Sequence, residues 1–231
     1  MNERVRAWLV VGLAVFLGVG VGIGAVAATG GDGSDGSDAV DELAAPSGLP
    51  PAHRANAVNF LTAWQRFRTG TFVVNLRFER TVTGKDEPLV SDGILVQQPP
   101  RRVVRAFGNE SSVFAGDAQT CELGADASSL CTPSHQTDPY DVQVASELST
   151  FSNYFSGETP LYRVEAPAAN CFSLHLYRAM PLPPYGDAAQ FCFDSATGAM
   201  TLFETTSSDG ADRTIAQRIT PTVTEADFAR P

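Results

Sequence analysis

Apolar residues Ala57, Phe60, Leu61, Trp64 and Phe67 recur at helical spacing behind Pro50-Pro51. The spacing predicts a helix over Ala52–Arg68, ended by Gly70. The period then changes to two. In Thr71–Thr83, Phe72, Val74, Leu76 and Phe78 share one face and Asn75, Arg77 and Glu79 the other, which predicts a half-buried strand. Leu89–Gln98 reads as a second strand with a bulge or bend at Gly93, Arg101–Phe107 as a third, and Ser112–Ala115 as a short fourth. The turns fall at Gly84–Pro88, Pro99-Pro100 and Gly108–Glu110, and Gly116–Pro139 reads as a loop. A second helix, Val142–Phe155, carries Val144, Leu148, Phe151 and Phe155 as its stripe, with Asp141 at its start. Five strands follow as a meander: Leu161–Glu165, Cys171–Arg178, Ala188–Asp194, Ala199–Thr206 and Arg213–Thr220. A helical turn at Glu225–Ala229 closes the pattern. The class is α+β, built on a curved antiparallel sheet and two amphipathic helices.

One stretch fits neither period. Trp8–Ala28 is an unbroken apolar run preceded by Arg4 and Arg6 and followed by Asp32, Asp35, Asp38, Asp41 and Glu42. Its length suits a membrane-crossing helix, and the flanking charges place the N-terminus inside. The expected organisation is a cytoplasmic segment at 1–7, a signal-anchor at 8–28, a flexible acidic linker at 29–50 and an extracytoplasmic domain at 51–231. Cleavage behind Ala25-Val26-Ala27 is the alternative.

The formal charge of -10 argues against a nucleic-acid partner. Four cysteines on the outer side read as two disulfides. We pair Cys121 with Cys131 and Cys171 with Cys192 because each pair closes a local loop. Alternation also puts Cys171 and Cys192 on strand faces opposite Phe172, Leu174, Leu176, Phe191 and Phe193. There is no CxxC pair, and His53, His135 and His175 are scattered, so no metal or cofactor is expected. Nucleophile-elbow, phosphate-loop and zinc-helix motifs are missing. Ser173 and His175 with Asp194 on a neighbouring strand are too local an adjacency to argue a triad, and no enzyme is expected. Pro181–Tyr185 reads as a rigid loop with an aromatic tip that could dock a partner.

The hairpin Ser91-Asp92-Gly93-Ile94-Leu95-Val96-Gln97-Gln98-Pro99-Pro100-Arg101-Arg102-Val103-Val104-Arg105 resembles the S-G-x-L-x-x-x-x-P-x-R-x-R hairpin of the LolA/LolB-like superfamily of periplasmic lipoprotein carriers. That superfamily includes regulators of envelope-stress anti-sigma factors and mycobacterial lipid-binding lipoproteins. The resemblance, spread over Ala52–Pro231, implies a sheet curled into an unclosed half-barrel with two helices on its concave side. An apolar cavity between them would take acyl chains or a partner's segment. Its wall would be Phe72, Val74, Leu76, Phe78, Leu95, Phe172, Leu174, Leu176, Phe191 and Phe193, with Phe60, Leu61 and Trp64 as lid. Arg101, Arg102 and Arg105, with Arg77 and Arg80, would supply a basic rim for a phosphate or carboxylate; the other reading of these arginines is a solvated face of cross-strand ion pairs. The chain departs from the carriers in its apolar N-terminal run, its four cysteines and its long cysteine-bearing segment, a layout that suits a Gram-positive, actinobacterial-type envelope. Two functions remain open. One is a non-catalytic, membrane-anchored domain binding lipid or lipoprotein acyl chains. The other is an envelope protein-interaction or sensor domain with a filled core.

Overall fold

Helix α1, Pro51–Thr69, forms where the helical period was read and buries Phe60, Leu61, Trp64 and Phe67 on its apolar stripe. A computed structural model of the chain describes residues 51–114, 117–123, 129–133 and 138–229. The apolar run 8–28 and the linker 29–50 lie outside the described residues. No helix among those described is long and apolar enough to cross a membrane.

Among the described residues eleven strands follow in one antiparallel sheet. Before the second helix come β1 (Phe72–Val82), β2 (Leu89–Gln98), β3 (Arg101–Ala106), β4 (Asn109–Phe114), β5 (Asp117–Leu123) and β6 (Ser129–Pro133). Helix α2 is Tyr140–Phe155. After it come β7 (Tyr162–Ala168), β8 (Cys171–Leu176), β9 (Ala188–Phe193), β10 (Met200–Ser207) and β11 (Gly210–Thr220), then the short helix α3, Glu225–Phe228. The order across the sheet is β6-β5-β4-β3-β2-β1-β11-β10-β9-β8-β7. The outermost strands β6 and β7 do not meet, so the sheet is an unclosed half-barrel, with α1 and α2 packed on its concave side.

The concave core follows the two-residue period. On β1, Phe72, Val74, Leu76 and Phe78 are all buried, while Asn75 between them is exposed. Register extends the same face to Leu95 and Gly93 on β2 and to Arg102, Val104 and Ala106 on β3. On the far side, Phe172 pairs with Phe191, and Leu174 with Ala189. The convex face holds a second, smaller core of Val73, Val96 and Val103. There α3 lays Phe228 against the sheet, while the Asp227 carboxylate accepts from the Thr224 N–H at 2.7 Å in a capping box.

Three sequence readings need correction. The segment Gly116–Pro139 is not all loop: β5 and β6 form a hairpin in which Cys121 faces Cys131. The polar Gln119, Thr120, Glu122 and Thr132 of these two strands, at one end of the sheet, hide the alternation that the central strands show. The turn between β3 and β4 lies at Phe107-Gly108, one residue earlier than read, with φ of 54° and 73°. Two successive positive φ values are what a tight type I′ hairpin requires. Gly93 is no bulge, since pairing runs through it without a shift. A Cβ there would lie 2.6 Å from the Phe78 ring and 2.6 Å from the Arg105 carbonyl oxygen, so the glycine makes room for that ring. The irregularity sits instead between Asn75 and Leu76, opposite β11. The Cys171–Cys192 bridge joins directly facing residues of β8 and β9, as alternation required.

Candidate functional site

The concave face divides into two halves. On the β7–β10 side it is filled by rings. Phe60 of α1 meets Phe151 at 4.9 Å, Phe191 at 5.3 Å, Phe155 at 5.4 Å, Phe172 at 5.6 Å and Phe193 at 6.3 Å between centroids, mostly edge to face. Trp64 packs on Phe151 and Phe191, and its indole N–H donates to Glu147 at 2.9 Å. Of the wall residues named from the sequence, Phe172, Leu174, Phe191 and Phe193 lie here, with Leu176 half-buried beside them. Phe60, Leu61 and Trp64 cover them from the helix side.

Sequence reasoning missed several members of this cluster. Tyr162, Met200 and Phe203 belong to it, and Tyr185 stacks on Phe151 at 5.3 Å. Tyr185 is therefore not a docking tip. Its backbone N–H donates to the Tyr162 hydroxyl at 2.9 Å, and burial raises its own pKa. The large apolar side chain that the Pro-rich loop exposes is Leu182, at 76%.

The other half is aliphatic. Val74, Leu76 and Phe78 of β1, Leu95 of β2 and Val104 and Ala106 of β3 make one buried stripe, with Phe72 at its junction with the ring cluster through Phe67. The stripe reaches solvent at Phe107, which is 39% exposed and packs on Phe78 at 5.2 Å. Phe107 keeps φ at 54°, an uncommon conformation for a bulky side chain and one that strains the backbone.

The basic rim does not assemble. Alternation on β3 sends Arg101 and Arg105 to the convex face and Arg102 to the concave one. Arg101 holds the Glu225 carboxylate with two hydrogen bonds of 2.8 Å and lies over the Phe228 ring. Arg105 pairs with Glu110 at 2.7 Å and donates to the carbonyls of Asp227 and Phe228. Both arginines thus fasten the C-terminal helix. Arg77 pairs with Glu79, and Arg80 with Asp212.

Arg102 is different. It is 1% exposed and lies beneath the helix layer near Phe67, whose ring centroid is 5.7 Å from its guanidinium carbon. Arg68, equally buried, pairs with Glu147 at 3.3 Å. Nearby, the Gln97 amide donates to the carbonyls of Phe67 and Gly70, and the Tyr140 hydroxyl donates to the Arg68 carbonyl at 2.8 Å. Burial first, and the positive charge of Arg68 second, push Arg102 down to about 9.

Among the described residues, His175 and Asp194 are engaged with separate partners. The His175 ring lies 3.7 Å from Glu165, while the Asp194 carboxylate accepts from the Ala196 N–H and from both the N–H and hydroxyl of Thr197 in its own turn. Those donors hold Asp194 below its usual pKa. Among the described residues no group of three or more His, Cys, Asp or Glu could hold a metal ion.

No family model and no curated protein matches the sequence. Solved structures similar to the chain include a LolA superfamily protein from Nitrosomonas europaea, 8% identical over 74% of this chain and 96% of that one, with a TM-score of 0.34. They also include the MucA/MucB complex of Pseudomonas aeruginosa, at 13% identity over 76% of this chain and 61% of that one, with a TM-score of 0.44. A DUF1329 family protein from Desulfovibrio piger aligns at 7% identity over 78% and 98% of the two chains, with a TM-score of 0.38.

Proposed function

We propose that residues 51–231 form a non-catalytic extracytoplasmic domain, held to the membrane by the run 8–28 through the linker 29–50. Its role is to bind a lipid or lipoprotein acyl chain against the concave side of the half-barrel. The observation that carries this reading is the aliphatic stripe Leu76, Leu95, Val104 and Ala106, which runs from the core to a solvent-facing aromatic edge at Phe107. An acyl chain that enters over Phe107 and inserts along this buried stripe leaves water for methylene contacts, at about 0.8 kcal/mol per buried CH2. The ring cluster beside it, including the wall residues Phe172, Leu174, Phe191 and Phe193, acts as the rigid floor against which the helices seat.

The second reading, an envelope protein-interaction or sensor domain, is favoured by the close packing of that ring cluster. One experiment separates the two. Cells making the full-length protein are fed a diazirine-bearing palmitate, irradiated, and the labelled peptides mapped. Labels on the β1–β3 peptides that carry Leu76, Leu95 and Val104 are expected, with loss of labelling in Ala106→Trp, whose indole would block the stripe. No labelling of the wild type, or equal labelling of Ala106→Trp, rejects acyl-chain binding and leaves the interaction role.

A further inference from the structure

All three guanidinium nitrogens of Arg102 are buried and make no hydrogen bond to any described residue. The Nε and Nη1 atoms of Arg68 are in the same position, apart from the ion pair to Glu147. Two buried cations therefore share one carboxylate, and that carboxylate is already engaged by the Trp64 indole. A buried charge without an acceptor is costly, several kcal/mol in order of magnitude, and leucine or methionine would fill the same volume without that cost. The Phe67 ring face returns only a small part of it.

The placement gives the charge a use. Arg102, Val104 and Ala106 point from β3 onto the same face, and Phe107 follows at the solvent edge. Arg102 thus stands at the inner end of the aliphatic stripe, about 17 Å along the strand from that edge at the usual rise per residue.

We propose that Arg102, with Arg68 beside it, is the recognition point for an oxyanion, a carboxylate or a phosphate, carried at the end of an amphiphile whose chain lies along the stripe. The inference rests on the acyl-chain reading above and adds the headgroup class and the direction of entry. The charged end goes in first, and the tail trails toward Phe107. A guanidinium donates two parallel N–H bonds to either oxyanion, and an incoming negative charge balances the pair of cations.

The test uses the full-length protein in phosphatidylcholine nanodiscs, wild type and Arg102→Met. The dissociation constants of palmitate and hexadecanol are measured, and the thermal midpoint is followed with and without inorganic phosphate. Palmitate is expected to bind wild type at least about tenfold more tightly than hexadecanol, the worth of a charge-assisted hydrogen bond. Arg102→Met should bind hexadecanol as wild type does and lose the preference for the acid. Its own midpoint without ligand, equal to or above that of wild type, shows that it folds. Equal binding of acid and alcohol by wild type, or a preference that survives in Arg102→Met, overturns the oxyanion site and leaves acyl-chain binding standing. A midpoint raised by phosphate in wild type alone, with neither amphiphile bound, keeps the site, makes a free anion its source and removes the acyl-chain reading. Silence from all three ligands overturns both.

Discussion

Arg102 concentrates the main tension of the molecule in one side chain. Its guanidinium is pushed down to about 9 in the folded protein, against an ordinary value of 12.5. The sign follows. Between those values the unfolded chain holds a proton that the folded one has released, so stability rises with pH through that window. At neutral pH the full burden remains. Arg102→Met should therefore be as stable as wild type or more so at pH 7.5, and wild type should recover ground as the pH passes 9. Urea midpoints of the two proteins at pH 7.5 and 10 check this by difference. The difference also cancels the tyrosines Tyr162 and Tyr185, whose raised values act the opposite way above pH 10 in both proteins. His53 makes a second case. Its Nδ1 accepts from the Val164 N–H at 3.0 Å, so Nε2 carries the proton toward the Phe155 carbonyl at 2.9 Å. The ring ties α1 to α2 and β7, and His53→Ala would leave a buried N–H without an acceptor. A loss of about 1–3 kcal/mol is expected, read from denaturant unfolding. The sequence marks Arg102 as a candidate together with its neighbours Arg101 and Arg105 on β3. Alternation separates them, and the meeting with Arg68 and Glu147 depends on tertiary packing that no local pattern records.

At the scale of elements, the strands lining the concave core were the easiest to read, because a face packed on helices and a solvated face give a clean period of two. Phe72–Phe78 and Phe172–Leu176 are of this kind. The β5–β6 hairpin escaped because its sequence is polar on both faces, although its cysteine pair was placed correctly. Helix α3 was visible as a turn, but its purpose was not. It covers the small convex core and takes up both Arg101 and Arg105. Phe228→Ala should therefore uncover Val73, Val96 and Val103 and cost about 1–3 kcal/mol, below the figure for a fully buried phenylalanine because Phe228 is only half-buried. Calorimetry reads the change. Arg105→Met should cost more than Arg101→Met, since Glu110 is buried while Glu225 is open to water.

At the scale of the whole sheet, the described strands form two meanders joined at the middle. One arm runs outward from β1 to β6 and the other outward from β11 to β7, and the seam between them is the pairing of the first strand with the last. The two disulfides lie one in each arm and neither crosses the seam. The candidate site shares this division, with its aliphatic stripe on one arm and its rings on the other. The sequence showed the stripes of both arms but not their junction, because register between strands this far apart leaves no local mark. The seam also sets a timetable. A chain that emerges N-terminus first presents β1 long before β11 exists, so through most of its synthesis the strand stands with an open, hydrogen-bonding edge of the kind that other chains pair with. A chain cut short at Ser207 should then stay protease-sensitive and aggregate, even with both disulfides formed, whereas one ending at Thr220 should close its sheet and lose only the cover of α3. For this protein the hazardous interval is the delay between its first strand and its last, and a factor that shields an exposed β1 edge is the help its maturation calls for.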